Sequence, residues 1–490
     1  MWSEAPPVAI HAPGNPILAD GRSYSTDPAP VVVGDTLWIL AGRDEAAPDV
    51  DDFIMNEWQA LATKDPASGD WTHYPAIARP EAVFAWAEPG RAYAGQIVQG
   101  RDGRFWLYAP VLQKADQSKD RFAIGVAVAD APNGPWTDAH PAGPIISQAV
   151  PEPNTIQNID PTVLIDDDGR VYIYWGTFGR LRGLELAADM VTPKGPEQTI
   201  TGLDGFFEAP WLMKRKGVYY LLYAGNKVGT DCTPALYHAC IAYGTATSPL
   251  GPWTYRGVIL KPVSSTTSHA GAVEFKGRWW LAYHTADAIG GGHFRRSVAI
   301  DPMAFDDKVS PPTILPVIPT RRPAPPPPPS RDIAGRATAT ASNVSIPVRY
   351  WIKALNDGIV RPTPLPPDLW AAEPGPTQQW LEYRFDKPVT LDGARMRFWA
   401  DPSAGVAAPK AWRMEYWNDG WTPVRDPRGF GTGVDAFQSA RFAPVTTRCV
   451  RAVFETAGAG VAVQEWEVLA PKVQPVRVST SIAPPCDAKP

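Results

Sequence analysis

Five stretches of the first 300 residues share one pattern: an apolar strand, a short polar turn closed by glycine, and a second, aromatic-rich strand. They are TDPAPVVVGDTLWILAG (26–42), YAGQIVQGRDGRFWLYAP (93–110), IDPTVLIDDDGRVYIYWG (159–176), FEAPWLMKRKGVYYLLYAG (207–225) and SHAGAVEFKGRWWLAYHT (268–285). Apolar and polar positions alternate only weakly, as expected for sheets packed on both faces. The turn glycines Gly34, Gly103, Gly169, Gly217 and Gly277 are separated by 69, 66, 48 and 60 residues. Four short strands need roughly 40–50 residues, so each interval holds one propeller blade and its loops. GDWT (69–72) and two copies of GPWT (134–137 and 251–254) mark turns into outer strands. The expected fold is all-β, with a five-bladed β-propeller over residues 1–318.

The innermost strand of a propeller blade runs along the central axis, so the residues just before these strands converge on one funnel. Those positions hold Asp27, Ala94, Asp160, Glu208 and His269. Asp160 and Glu208 each stand nine residues before their turn glycine, His269 eight and Asp27 seven. Asp before Pro is a common turn former. Glu208 differs, because it lies between Phe207 and Ala-Pro-Trp-Leu, where a carboxylate is costly unless used or paired. Such a site raises a carboxyl pKa, which a general acid working near neutrality needs. Cutting a glycosidic bond requires two carboxyls, one protonated and one ionised, and acids on different blades suit the wide spacing of the inverting reaction.

Composition narrows the partners. The chain has 490 residues, a formal charge of −5 and scattered Lys and Arg, so a nucleic-acid footprint is not expected and a neutral, polar substrate fits better. The 55 prolines and 41 glycines argue against long helices, and the 20 tryptophans suit either sugar stacking or core packing. No apolar run approaches the roughly 18 residues of a membrane span. The N-terminal stretch has no basic n-region and no apolar h-region, so the expectation is a secreted or periplasmic protein lacking its leader, or else a cytoplasmic one. Of the four cysteines, Cys232 and Cys240 bracket CTPALYHAC and are either a small disulfide loop or two unrelated thiols; Cys449 and Cys486 match no motif.

Beyond the fifth blade, PVIPTRRPAPPPPPS (316–330) reads as a stiff connector, assigned to 319–330. Residues 331–475 alternate strand-like segments with NDG and LDG turns, as in an antiparallel β-sandwich, and 476–490 form a tail.

The ordered blocks TDPAP, NIDPTVLIDDDGRVYIYWG, FFEAPWL, SHAGAVEFKGRWWLAYH and RRSVAIDPMAFD resemble glycoside hydrolase family 43, with its β-xylosidases, α-L-arabinofuranosidases and arabinanases. The resemblance implies an inverting enzyme releasing terminal pentose from plant cell-wall polysaccharide or its oligosaccharides. It implies Asp27 as general base, Asp160 as the acid that tunes a neighbour, and Glu208 as general acid. His269 corresponds to an axial histidine that in many members holds calcium, usually through waters, while the chemistry itself requires no cofactor. Arg296 corresponds to an arginine reaching the substrate or the tuning acid, with Arg295 as its competitor. Trp86, Gln96, Asn158 and Phe207 are the expected substrate walls.

The chain departs from that family at STDPAPVVV and at YAGQ (93–96), which puts the subsite walls and the choice of sugar in question. Alternatives are an endo- or exo-arabinanase, a retaining fructosidase and a non-catalytic sugar-binding propeller. The fructosidase lacks support because its Asn-Asp-Pro-Asn and Glu-Cys-Pro elements are absent. LNDG, QWLEYRF, a W-x-P-V turn and QEWEV resemble the discoidin-like (coagulation factor C-type) family, often carbohydrate-binding. Trp351, Trp370 and Trp417 are the expected platform residues. The sequence carries no signal for oligomeric state.

Overall fold

In a computed structural model of the chain, residues 6–487 are described except 49, 51, 115–119, 227–231, 233–239, 266, 322–328, 343–351, 361–368, 435 and 476–482. The chain divides into two compact units, 1–227 with 238–323 and 324–490 with 228–237.

The first unit is a five-bladed propeller. Its inner strands are Thr26–Val33, Gln96–Gln99, Thr162–Ile165, Phe206–Arg215 and Ala270–Phe275, and each neighbours the next around a closed ring. Blades 2, 3 and 4 are four-stranded antiparallel sheets. Blade 1 gains a fifth, outer strand, Val8–His11, paired with Asp70–Ala78, and the main sheet of blade 5 has three strands. Blades pack face to face through apolar side chains. Leu37, Ile39 and Leu61 of blade 1 meet Trp280 and Val298 of blade 5, and Tyr172 and Tyr174 of blade 3 meet Leu212 and Leu221 of blade 4. Each fully buried side chain of this size contributes about 1.5–3 kcal/mol relative to exposure.

Three inner strands begin with the same irregularity. Thr26 pairs with Gly42 and Ala29 with Leu40, so Asp27 and Pro28 together face one residue, Ala41. Ala209 and Pro210 likewise face Tyr223 in blade 4. In blade 3, the Gly176 N–H donates to the Ile159 carbonyl and Thr162 pairs with Tyr174, leaving Asp160 and Pro161 opposite Trp175. Proline has no N–H for the ladder, and a β-bulge accommodates it while re-aiming the neighbouring side chain. The residue before each proline has a positive φ: 53° at Asp27, 56° at Asp160 and 56° at Ala209. That region is uncommon for non-glycine residues and clusters at functional sites.

The bulges revise the register read from the turn glycines. Asp160 is equivalent to Asp27 and to Ala209, not to Glu208, which stands one residue earlier, level with Thr26 and Ile159. The equal nine-residue counts are produced by unequal turns: five residues between Ile165 and Val171 in blade 3, two between Arg215 and Val218 in blade 4.

The second unit is an antiparallel β-sandwich dominated by the long strands Gln378–Trp399, Gln438–Glu455 and Gly460–Gln474. Its core includes Trp370, Trp466 and Tyr383, the last two stacked with ring centroids 4.0 Å apart. Trp370 is therefore no sugar platform, being wholly buried. Trp417 packs edge-on against Trp421, and Trp351 lies outside the described residues. Among the described residues no cysteine is free: Cys449 is bonded to Cys486, and Cys232 and Cys240, both disulfide-bonded, are left to each other.

Candidate active site

Because each inner strand starts at the funnel, the second strand of each blade ends there. The funnel is thus built from the bulges at one level and from the residues just past the second strands.

Asp27, only 8 % exposed, is the most densely held acid. Its Oδ1 accepts from the Thr26 hydroxyl at 2.9 Å and from Arg296 Nη1 at 3.2 Å, and lies 3.3 Å from His284 Nδ1 and 3.7 Å from His269 Nδ1. His284 Nδ1 also lies 3.3 Å from the Asp27 main-chain nitrogen and 3.1 Å from the Thr26 hydroxyl, and its Nε2 is 3.0 Å from the Thr267 carbonyl. Arg296 is itself clamped: its Nε and Nη2 donate to the two carboxylate oxygens of Asp44, each at 2.9 Å. Burial opposes ionisation of Asp27, but Arg296, then His284 and His269, outweigh it and hold this carboxyl far below the usual range. Burial lowers His269 to about 4, so its ring is neutral near pH 7.

Asp160 and Glu208 are driven the other way. Burial, then the charges of Glu208 and Asp27, pushes Asp160 well above an ordinary carboxyl. Burial, assisted by Asp27, raises Glu208 to about 7 against the opposing hydrogen bond from Thr177 and the charge of Arg296. Asp160 Oδ2 accepts the Ala209 N–H at 3.0 Å, a bond supplied by the blade 4 bulge, and Glu208 Oε2 accepts the Thr177 hydroxyl at 3.0 Å. Two neighbouring acids of this kind titrate as a pair. The Ala209 N–H favours the charged form of Asp160, as the Thr177 hydroxyl favours the charged form of Glu208, and burial outweighs both.

The remaining candidates separate. Phe207 is buried beside Glu208, with its ring 5.7 Å from that of Phe178 in a T-shaped contact. Gln96 turns its amide to the Val163 backbone, accepting from N–H at 2.7 Å and donating to C=O at 3.3 Å, and so joins two inner strands. Asn158 is wholly buried, accepting from the Trp175 indole at 2.8 Å and donating toward Asn154 and Ile156. Trp86 packs on Phe84 and donates its indole N–H to Asp138, on the outermost strand of blade 2. Arg295 is taken up by the Gly290 and Ala47 carbonyls. Residues that the sequence reading missed are Asp44, His284 and Thr177, together with Phe53, whose ring lies 4.8 Å beneath the Arg296 guanidinium. Asp44, Thr177 and His284 all fall at or just past the end of a second strand, a positional signal already present in the repeat.

An acid held ionised and another holding a proton near neutrality, in one funnel, are the equipment of a glycoside hydrolase. The profile of glycosyl hydrolases family 43 matches residues 14–310, more than half of the chain, and the chain belongs to that family. The F5/8 type C domain profile matches residues 339–468. A xylosidase/arabinosidase of Bacteroides ovatus is 29% identical over 330 residues, covering 58% of this chain and 92% of that protein. An arabinoxylan arabinofuranohydrolase of Bacillus subtilis (strain 168) is 31% identical over 276 residues, covering 48% and 51%. Among solved structures, a family 43 β-xylosidase/α-arabinofuranosidase from a compost microbial metagenome, in complex with xylotriose and in a calcium-free form, superposes with a TM-score of 0.53. It is 26% identical, covering 63% of this chain and 98% of that one.

Proposed function

We propose that the protein is an inverting glycoside hydrolase that releases terminal pentose residues, as a β-xylosidase, an α-L-arabinofuranosidase or both, from hemicellulose or its oligosaccharides. The carrying observation is the divergence of two carboxyls in one funnel, Asp27 held far below its usual range and Glu208 raised to about 7. Asp27 takes a proton from water as that water attacks the anomeric carbon. Glu208 gives its proton to the departing glycosidic oxygen, and the carbon–oxygen bond breaks with inversion. Asp160 keeps the proton on Glu208 by repulsion. Arg296, braced by Asp44, holds Asp27 ionised and in place. The pentose preference draws on the names of the similar proteins and on the complex with xylotriose.

A calcium ion near His269 would have to be held through waters. Calcium takes six to eight oxygen ligands, whereas His269 offers nitrogen, and the neighbouring Asp27 carboxylate is engaged by Arg296 and Thr26. Among the described residues, the group with metal-ligand spacing is Glu382, Cys449 and Cys486, and both of its cysteines are spent on a disulfide. The disulfide-bonded cysteines support an oxidising location, periplasmic or extracellular.

Proton NMR of the sugar released in the first seconds tests the reading. An anomer opposite to that of the substrate is expected; the same anomer would assign a retaining mechanism and remove Asp27 as base.

A further inference from the structure

Phe178 is exposed over 63% of its surface, the largest exposure of an aromatic side chain among the described residues, and it stands next to Thr177, the residue that donates to Glu208. Water-facing phenylalanine on a loop is ordinarily free to fold its ring down. Here the loop is tightly fixed. Residues Gly176–Arg180 form a turn in which the Arg180 N–H donates to the Thr177 carbonyl, and a Cβ at Gly176 would meet the Arg180 carbonyl oxygen at 2.1 Å. The Gly179 N–H donates to the Phe207 carbonyl at 3.0 Å, tying the turn of blade 3 to the inner strand of blade 4. Phe178 itself has φ 52°, a strained conformation for an aromatic residue, and its ring is braced edge-to-face on Phe207.

The two sides of the funnel differ in chemistry. Around Asp27 gather Arg296, His269 and His284, the charged and polar groups of blades 1 and 5. On the other side, Thr177 donates to Glu208, and Phe178, next in the chain, packs on Phe207. A general acid touches the oxygen of the leaving group, so the sugar beyond that oxygen lies past the acid, on the side away from the base. A rigid, exposed ring there offers the flat apolar surface on which a pyranose or furanose face stacks.

We propose that Phe178 is the stacking wall for the leaving-group sugar, a specificity-determining residue that selects substrates by what is attached to the terminal pentose. This rests on the glycosidase reading above.

The test compares two substrates of the same terminal pentose: a disaccharide, whose leaving group is a sugar, and the matching pentosyl fluoride, whose leaving group has no ring to stack. Phe178→Gly suits the positive φ while deleting the ring, and Phe178→Tyr keeps it. Expected is a fall of about tenfold in kcat/KM on the disaccharide for Phe178→Gly, a change of less than about twofold on the fluoride, and near-normal values for Phe178→Tyr on both. Equal losses on the two substrates, or no loss on the disaccharide, would overturn the assignment. Hydrolysis of neither substrate by the unaltered protein would overturn the glycosidase reading and this inference with it.

Discussion

Arg296 Nη1 lies 3.2 Å from Asp27 Oδ1 while the rest of its guanidinium is clamped in two-point contact by Asp44. Bidentate pairing fixes the plane of an arginine as well as its charge. The catalytic consequence is that Asp44, though it carries no contact to Asp27, sets where the positive charge beside Asp27 sits. Asp44→Asn should lower kcat on the order of 10²-fold by misplacing Arg296. Arg296→Gln should also move the acidic limb of the pH–rate profile upward, because Asp27 loses the cation that holds its carboxyl low. Profiles of kcat/KM between pH 3 and 9, with melting curves to establish folding, check both variants. An unmoved acidic limb in Arg296→Gln would remove Arg296 as the cause.

Asp160→Asn should shift the alkaline limb to lower pH. Glu208 must be protonated to act; burial raises its pKa to about 7, and a neutral amide at position 160 removes the Asp160–Glu208 repulsion. Activity at pH 8 should therefore fall proportionally more than activity at pH 5. An alkaline limb that stays in place would make Asp160 a purely structural neighbour.

Glu208→Gln should stabilise the protein in a pH-dependent way. A carboxyl whose folded pKa is raised binds its proton more tightly folded than unfolded, so its contribution is favourable at low pH and is lost as pH rises through about 7. Glutamine cannot ionise. The variant should melt on the order of 2 °C higher at pH 8, with little difference at pH 5. A larger gain at pH 5 than at pH 8 would contradict the raised pKa.

Gln96→Leu should cost about 1–3 kcal/mol in stability, because the Val163 N–H loses its partner in a buried position. KM should stay close to that of the unaltered protein, as the amide faces a neighbouring strand rather than the funnel. Denaturant unfolding and steady-state kinetics separate the two effects. A raised KM with unchanged stability would return Gln96 to the substrate wall.

The repeat made the propeller legible because each blade restates one hydrophobic pattern with a turn glycine, and Asp27, Asp160 and Glu208 stood out by sharing one end of it. Their true register was not legible. A one-residue bulge and a change in turn length leave the count from Asp160 or Glu208 to its glycine unaltered. Gln96, Asn158 and Trp86 lie near the blade motifs in sequence, yet hydrogen bonds to Val163, Trp175 and Asp138 turn each of them into the framework. Asp44 and His284 escaped notice for the opposite reason. Their segments read as ordinary strand ends, and the closure of the ring, which brings blade 5 against blade 1, is what sets His284 beside Asp27 and Arg296 against Asp44.

The central claim, that Glu208 delivers the proton to the leaving oxygen, is tested most directly by Glu208→Ala on a series of aryl pentosides of graded leaving-group pKa and on a disaccharide. Loss of the acid should cost on the order of 10²–10⁴-fold in kcat/KM on the disaccharide and progressively less as the leaving group becomes more acidic, since a stable phenolate needs no proton. A loss of the same size across the whole series would contradict the account, because a general acid cannot be equally important to a leaving group that requires it and to one that does not.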